Sequence, residues 1–125
     1  MEQLRIKALE FQNKLQEPIS TDDAESCLGR ITEVEIMMVE SGKLLADAKF
    51  HQDTEQSKLK EILADLNANV SASTLNNYIK SRTINENYMV NWFERINRSS
   101  THLCENLRTV ISYRKEEMRN LNYKI

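Results

Sequence analysis

The sequence predicts an all-α fold: an elongated antiparallel helical hairpin of two long helices with two short flanking helices, bundle-like at both ends. The 125 residues include two glycines and one proline, too few for the turns that a sheet requires. Apolar residues also recur at every seventh position along the first half of the chain, a spacing typical of helices that pack along a seam. We therefore expect a single helical domain over residues 1–125.

Helix 1 is expected at about residues 2–16. Its apolar side chains form one narrow helical stripe: Leu4, Ala8, Phe11 and Leu15. Pro18 ends this helix, because proline lacks the amide hydrogen that a helix needs and disfavours helical backbone at the preceding residue. Since the following connection is short, helix 1 should fold back antiparallel onto the start of helix 2.

Helix 2 is expected at about residues 22–68, which is roughly 65–70 Å at 1.5 Å per residue. Its start offers three N-cap candidates: Ser20, Thr21 and Asp22. Its seam recurs at every seventh position: Ala24, Ile31, Met38, Leu45, Gln52, Leu59 and Leu66. The polar Gln52 weakens this seam but can fix its register. The pair Ser41–Gly42 indicates either a close contact or a kink.

Helix 3 is expected at about residues 74–82, after a loop at 70–73, and helix 4 at about 84–122. Thr83 and Glu86 have the spacing of a capping box, in which each side chain accepts a hydrogen bond from a free amide at the helix start. No glycine or proline follows this pair. Helix 4 can therefore continue almost to the end of the sequence.

The register of the hairpin is predicted by matching the apolar ends of the two long helices. The residue numbers of two side chains that face each other across the hairpin then add up to about 153. The two polar middles, Asp47–Ser57 and Asn97–Thr101, coincide in this arrangement, and helix 1 lies against Val34–Leu45 and Val110–Leu121. The predicted register therefore gives two small cores joined by a polar waist.

Charge is unevenly distributed along the chain. Residues 1–79 carry 8 basic and 14 acidic side chains, a net charge of −6, whereas residues 80–125 carry 9 basic and 5 acidic ones, a net charge of +4. The basic residues of helix 4 are Arg95, Arg98, Arg108, Arg114, Lys115 and Arg119. Such a run predicts phosphate contacts, so a nucleic-acid-associated accessory protein is our second hypothesis. Pairing with interleaved glutamates and with helix 2 is the favoured interpretation.

The only two histidines, His51 and His102, lie at the same level of the hairpin in the predicted register. With Glu55, one helical turn after His51, they make a metal-binding helical bundle our third hypothesis. Against it, the His-x-x-Glu order differs from the Glu-x-x-His order of carboxylate-bridged metal pairs. Solvated histidines are the simpler interpretation, and we expect no cofactor.

Catalysis is not expected from this sequence. Cys104 and His102 are two residues apart, so they point in different directions on a helix and cannot act together. Phosphate-binding loops, dinucleotide-binding fingerprints and zinc-finger spacings are absent, so we expect no enzyme and no small-molecule substrate. Two cysteines are too few for a disulfide framework, and no signal peptide or membrane-spanning run is recognisable. We therefore expect a cytoplasmic protein without membrane association.

The favoured hypothesis is a non-catalytic protein–protein interaction module, such as an adaptor, an assembly factor or an inhibitor. Helix 2 is apolar on more than one side between Val34 and Leu45, more than helix 1 can cover. Methionine-rich helical faces are common at partner interfaces. The expected contact residues are Ile36, Met37, Met38 and Leu44. We expect the partner to be another protein or, more simply, a second copy in a homo-oligomer.

Overall fold

The computed structural model describes residues 1–65 and 70–123 and has the predicted all-α hairpin fold. Its four helices are α1 (Glu2–Gln16), α2 (Ala24–Asp65), α3 (Ala72–Arg82) and α4 (Ile84–Tyr123). The long helices α2 and α4 pack against each other along most of their length, and no strand occurs in these two described ranges. The two short helices flank this hairpin, as the sequence predicts.

Helix α1 occupies the predicted range and buries the predicted stripe. Leu4, Ala8 and Phe11 are buried, and Leu15 packs against them at the edge of the core. The backbone turns to an extended conformation at Glu17, directly before Pro18. The buried Arg30 of α2 holds this turn, because its guanidinium donates to the Glu17 carbonyl oxygen at 2.8 Å and to the Pro18 carbonyl oxygen at 3.2 Å.

Helix α2 starts two residues later than expected, and its cap is Asp23 rather than an earlier residue. The Asp23 carboxylate accepts a hydrogen bond from the Ser26 amide at 2.6 Å, which satisfies one of the free amides of the first turn. The helix continues without a break through Ser41–Gly42. Its expected end at residue 68 lies outside the described residues, as does Leu66 of the predicted seam.

The seam of α2 has two rows of residues, and the heptad pattern of the sequence predicts one of them. Ile31 of the predicted row is buried, while Met38, Leu45, Gln52 and Leu59 are half-buried. The second row is more deeply buried, and its residues are also seven apart: Cys27, Val34, Ser41 and Ala48. Small and polar residues dominate this row, so an apolar heptad search does not find it.

Helix α3 begins two residues earlier than expected, because Ser71 caps it by accepting a hydrogen bond from the Thr74 amide at 3.2 Å. The predicted capping box at Thr83 and Glu86 does not form. Thr83 is instead buried, and its hydroxyl donates to the Ile79 carbonyl oxygen at 2.8 Å. Thr83 therefore closes α3 and separates it from α4 by a single residue.

Polar contacts across the hairpin show its register. The Ser41 hydroxyl donates to the side-chain carbonyl of Asn97, and the Gln52 amide donates to that of Asn87 at 2.7 Å. Gln52, the polar residue of the predicted seam, thus contacts α4 across the hairpin. The residue numbers of facing pairs total about 140 rather than 153, a shift of roughly 15–20 Å along α4.

The predicted register is wrong because matching apolar ends ignores side-chain size. In the observed register, the small Ala48 of α2 lies at the level of Phe93, whose large ring is completely buried. Ser41 and Ser100, which are both small and completely buried, lie at one level and let the two backbones approach there. A large side chain opposite a small one lets two helices approach closely and fill the space between them. Pattern alone contains no such volume information.

One continuous core replaces the two small cores that the sequence analysis expected. It joins Leu4 and Phe11 of α1, Val34 of α2, and Phe93 and Leu107 of α4. The rings of Phe11 and Phe93 meet edge to face with centroids 6.5 Å apart. Helix α1 therefore packs on the first half of α4 and not on the predicted Val110–Leu121 segment.

Candidate functional site

The predicted contact residues do not form one exposed strip. Ile36 is exposed, but Met37 is buried in the core, and Met38 and Leu44 are half-buried against it. The reason is the position of α1, which crosses this side of α2. Lys7 of α1 lies 3.3 Å from Glu40 of α2 on this side.

A different face of α2 is exposed and apolar. We call it the outer face of α2; its residues follow one another at three- or four-residue spacing opposite the seam: Gly29, Thr32, Ile36, Val39, Lys43, Ala46 and Phe50. Ile36 is 68% exposed, Val39 80% and Phe50 70%. Lys43 is the one charged residue in this set. Sequence reasoning missed Val39 and Phe50, although their spacing from Ile36 is a usable signal.

The two glycines of the chain are both exposed on α2: Gly29 belongs to the outer face, and Gly42 lies beside it, next to Lys43. A Cβ atom added at either position would meet no atom within 4 Å. Glycine in a helix interior is less favourable than alanine by about 1 kcal/mol. No intrachain packing therefore explains either glycine.

Three of the six residues of the predicted basic run are engaged in ion pairs. Arg108 pairs with Glu35, and Arg119 with Glu116 at 3.7 Å. Arg114 is the most tightly held. Its guanidinium lies 2.8 Å from the Glu117 carboxylate and 3.0 Å from the Thr21 carbonyl oxygen, and the hydrogen bond to Glu117 raises the pKa of Arg114. These three arginines therefore pair with glutamates, Arg108 across the hairpin and Arg114 and Arg119 within α4.

Arg95 and Arg98 differ from the other arginines of α4. Both are exposed, and within residues 1–65 and 70–122 neither has a carboxylate oxygen within 4 Å. They line an open groove of about 900 Å³ between α1 and α4, together with Tyr88, Trp92 and Gln12. Lys115 lies on the far part of α4, beside a second shallow groove. The structure thus divides the predicted basic run into separate groups.

The candidate metal residues His51, Glu55 and His102 are not brought together. His51 is next to Gln52, which contacts Asn87, whereas His102 lies some 15 residues further along α4, roughly 20 Å away. His102 instead faces Glu105 at 3.7 Å. Within the described part of the chain, no three histidine, cysteine or acidic side chains are arranged to share a metal ion.

The cysteines are both free thiols and both buried. Burial raises the pKa of the Cys104 thiol, so the reactive thiolate form is disfavoured at neutral pH. Cys27 is completely enclosed, and its sulfur lies 3.8 Å from the Ser20 carbonyl oxygen. Both cysteines act as small core residues in this fold.

The described helices contain no segment that is both long enough and apolar enough to cross a lipid bilayer. Exposed apolar residues occur on the outer face of α2, on α1 and at the end of α4.

No protein-family model, curated protein or solved structure matches this chain.

Proposed function

We propose that the protein is a non-catalytic interaction module that pairs with a second copy of itself through the outer face of α2. The observation that supports this proposal is the exposure of Ile36, Val39 and Phe50 along one side of a single helix. Several large apolar side chains exposed along one helix face are typical of a protein-interaction surface. This proposal retains the sequence-based hypothesis of an interaction module. It replaces the predicted contact residue Met37, which is buried, with residues on the opposite side of the helix.

Charge favours a second copy as the partner. Lys43 lies in the middle of the outer face, and the exposed acidic residues Glu40 and Asp47 lie next to it on the same helix. In an antiparallel pair centred between Val39 and Lys43, each lysine is adjacent to Glu40 of the partner subunit, and in each copy Glu40 also lies 3.3 Å from Lys7. Such an arrangement satisfies a two-fold axis, in which the same surface serves both copies.

The size of the face sets the expected affinity. It extends over about 20 residues, or roughly 30 Å of helix. With a helix width of about 10 Å, this face presents about 300 Å², less than the roughly 800 Å² per partner of a standard stable interface. We therefore expect a dissociation constant in the micromolar range. The rest of the hairpin stays free in such a dimer, as an adaptor or assembly factor requires, and the free thiols suit a cytoplasmic location.

The test is the double substitution Val39→Glu and Phe50→Glu, measured by sedimentation equilibrium. Four carboxylates enter the paired surface, and burying them without partners is unfavourable, so we expect dissociation into monomers. Thermal unfolding of the monomer should change little, because both side chains point away from the core.

The matched control is Tyr113→Glu, since Tyr113 is 62% exposed but lies on α4, off the outer face of α2. This variant should self-associate like the unmodified protein. If the double variant dimerises as tightly as the control, the outer face of α2 is not the contact surface.

A further inference from the structure

We propose that the groove between α1 and α4 binds a nucleotide, with its phosphate at Arg95 and Arg98 and its base against Tyr88. This site is independent of the proposed dimer, since no residue of α2 lines the groove. The ligand class follows from two features that lie side by side: guanidinium groups without a carboxylate partner, and aromatic rings with an open face.

The arginine pair provides the anion-binding part of the groove. Arg95 and Arg98 are three residues apart, so their side chains emerge from the same side of α4. Glu94, the acidic residue next to Arg95, also lines the groove, and its carboxylate lies 3.9 Å from Lys49 of α2 and beyond 4 Å from either arginine. Guanidinium groups bind phosphate through two parallel hydrogen bonds, and here they are free to do so. The paired Arg108 and Arg119 lack this freedom.

The aromatic pair provides the second part. The Trp92 indole nitrogen donates to the Gln12 side-chain oxygen at 2.8 Å, which fixes the indole against α1. Tyr88 meets this indole edge to face, with ring centroids 5.5 Å apart, and remains 55% exposed. An edge-to-face contact leaves a ring face open, and aromatic faces stack on bases of any sequence.

Spacing connects these two parts. Tyr88, Trp92 and Arg95 follow one another at four and three residues, so they share one side of α4. The distance along the helix from Tyr88 to Arg95 is about 10 Å, which a long arginine side chain can shorten by folding back. Asn91 and Ser99 add neutral hydrogen-bonding groups at the same groove. A phosphate joined to an aromatic base matches this arrangement.

The site suits one or two phosphates rather than a long nucleic-acid backbone. The whole chain has a net charge of −2, and the remaining arginines of α4 are paired with glutamates. A duplex would lie against these neutralised residues and gain little from them. The ligand is therefore a free nucleotide or a nucleotide within a short single strand, and both have the same chemistry.

The experiment uses Trp92, which is the only tryptophan of the chain, as an internal reporter. The full-length protein is titrated with adenosine monophosphate and, separately, with a ten-residue oligodeoxythymidine, and tryptophan fluorescence is recorded. We expect saturable quenching. The variant with Arg95→Ala and Arg98→Ala should bind at least tenfold more weakly, and inorganic phosphate should compete. Tighter binding of the monophosphate indicates a free nucleotide, and tighter binding of the oligonucleotide indicates a single strand.

The matched control removes two arginines that are already paired. A variant with Arg108→Ala and Arg119→Ala loses the same charge from the same helix, and its affinity should remain within about twofold. The logarithm of the binding constant should fall with the logarithm of the salt concentration with a slope of about −1, as for one or two phosphates. Absence of quenching with both probes, or equal weakening in the two double variants, overturns the proposal.

Discussion

Arg30 is the residue on which the position of α1 depends. Its side chain is 8% exposed, and it donates to two backbone carbonyl oxygens at the end of α1 and to the Glu17 carboxylate at 3.1 Å. Arg30→Met keeps the length of the side chain but leaves these acceptors without their donor. Hydrogen bonds that involve a charged group contribute about 1.5–3 kcal/mol, so we expect a loss of about 2–3 kcal/mol in the free energy of unfolding, measured by urea denaturation.

The exposed Arg119 provides the comparison, because it contacts one exposed carboxylate and no backbone carbonyl among the described residues. Arg119→Met should change the free energy of unfolding by less than about 0.5 kcal/mol. Equal effects of the two substitutions would show that Arg30 does not hold the turn.

Two carboxylates predict how stability depends on pH. Hydrogen bonds from Arg30 and then Lys14 lower the pKa of Glu17, and the backbone and side chain of Ser26 lower the pKa of Asp23. A lowered pKa in the folded protein stabilises the fold above the pKa of the unfolded chain, and this contribution is lost as the pH falls through the folded value. We therefore expect the urea midpoint to be constant near neutral pH and to fall below about pH 4.

The substitution Glu17→Gln isolates one of these groups. It removes the titrating carboxyl while keeping a similar shape, so the variant should be less stable at neutral pH and should lose less on acidification. The pKa of Lys14 is raised by its hydrogen bond with Glu33, so its contribution is lost only when the pH rises through that raised value. A variant whose acid transition is as steep as before would exclude Glu17 as a cause.

At the scale of the element, a substitution at Gly42 should have opposite effects on the stability of helix α2 and on dimerisation. A Cβ atom at this position meets nothing within the chain, so Gly42→Ala should raise the free energy of unfolding of the monomer by up to about 1 kcal/mol. The measurement is thermal unfolding in the monomeric background of Val39→Glu and Phe50→Glu. Against a partner helix the added methyl group crowds a close approach, so in the unmodified background the dimer should weaken.

Gly29→Ala is the matched substitution, since it also meets no atom within the chain but lies near the start of the helix. It should stabilise the monomer to a similar extent and weaken the dimer less. If both alanines leave dimerisation unchanged, a close helix approach at Gly42 is contradicted.

The helices themselves were predictable, because their signals are local. The Leu4 stripe, Pro18 and the absence of breakers after Ile84 place α1 and α4 almost as observed. The register was not predictable, since it depends on which side-chain volumes fit together, such as Ala48 with Phe93. The burial of Met37 was not predictable either, because it depends on where α1 lies.

At the scale of the whole molecule, the hairpin presents two surfaces with different chemistry. The outer face of α2 is apolar with one central charge, and the groove between α1 and α4 combines arginines with aromatic rings. The sequence suggested Ile36 for the first and Arg95 with Arg98 for the second. It did not show which arginines are already paired, because Arg108 meets Glu35 across the hairpin only in the observed register.

Self-association through α2 is the central claim, and the most direct measurement is the mass of the unmodified protein in solution. Light scattering over a dilution series should give twice the chain mass of 14.6 kDa at high micromolar concentration and approach 14.6 kDa on dilution. A mass of 14.6 kDa at every concentration up to several hundred micromolar would contradict the claim.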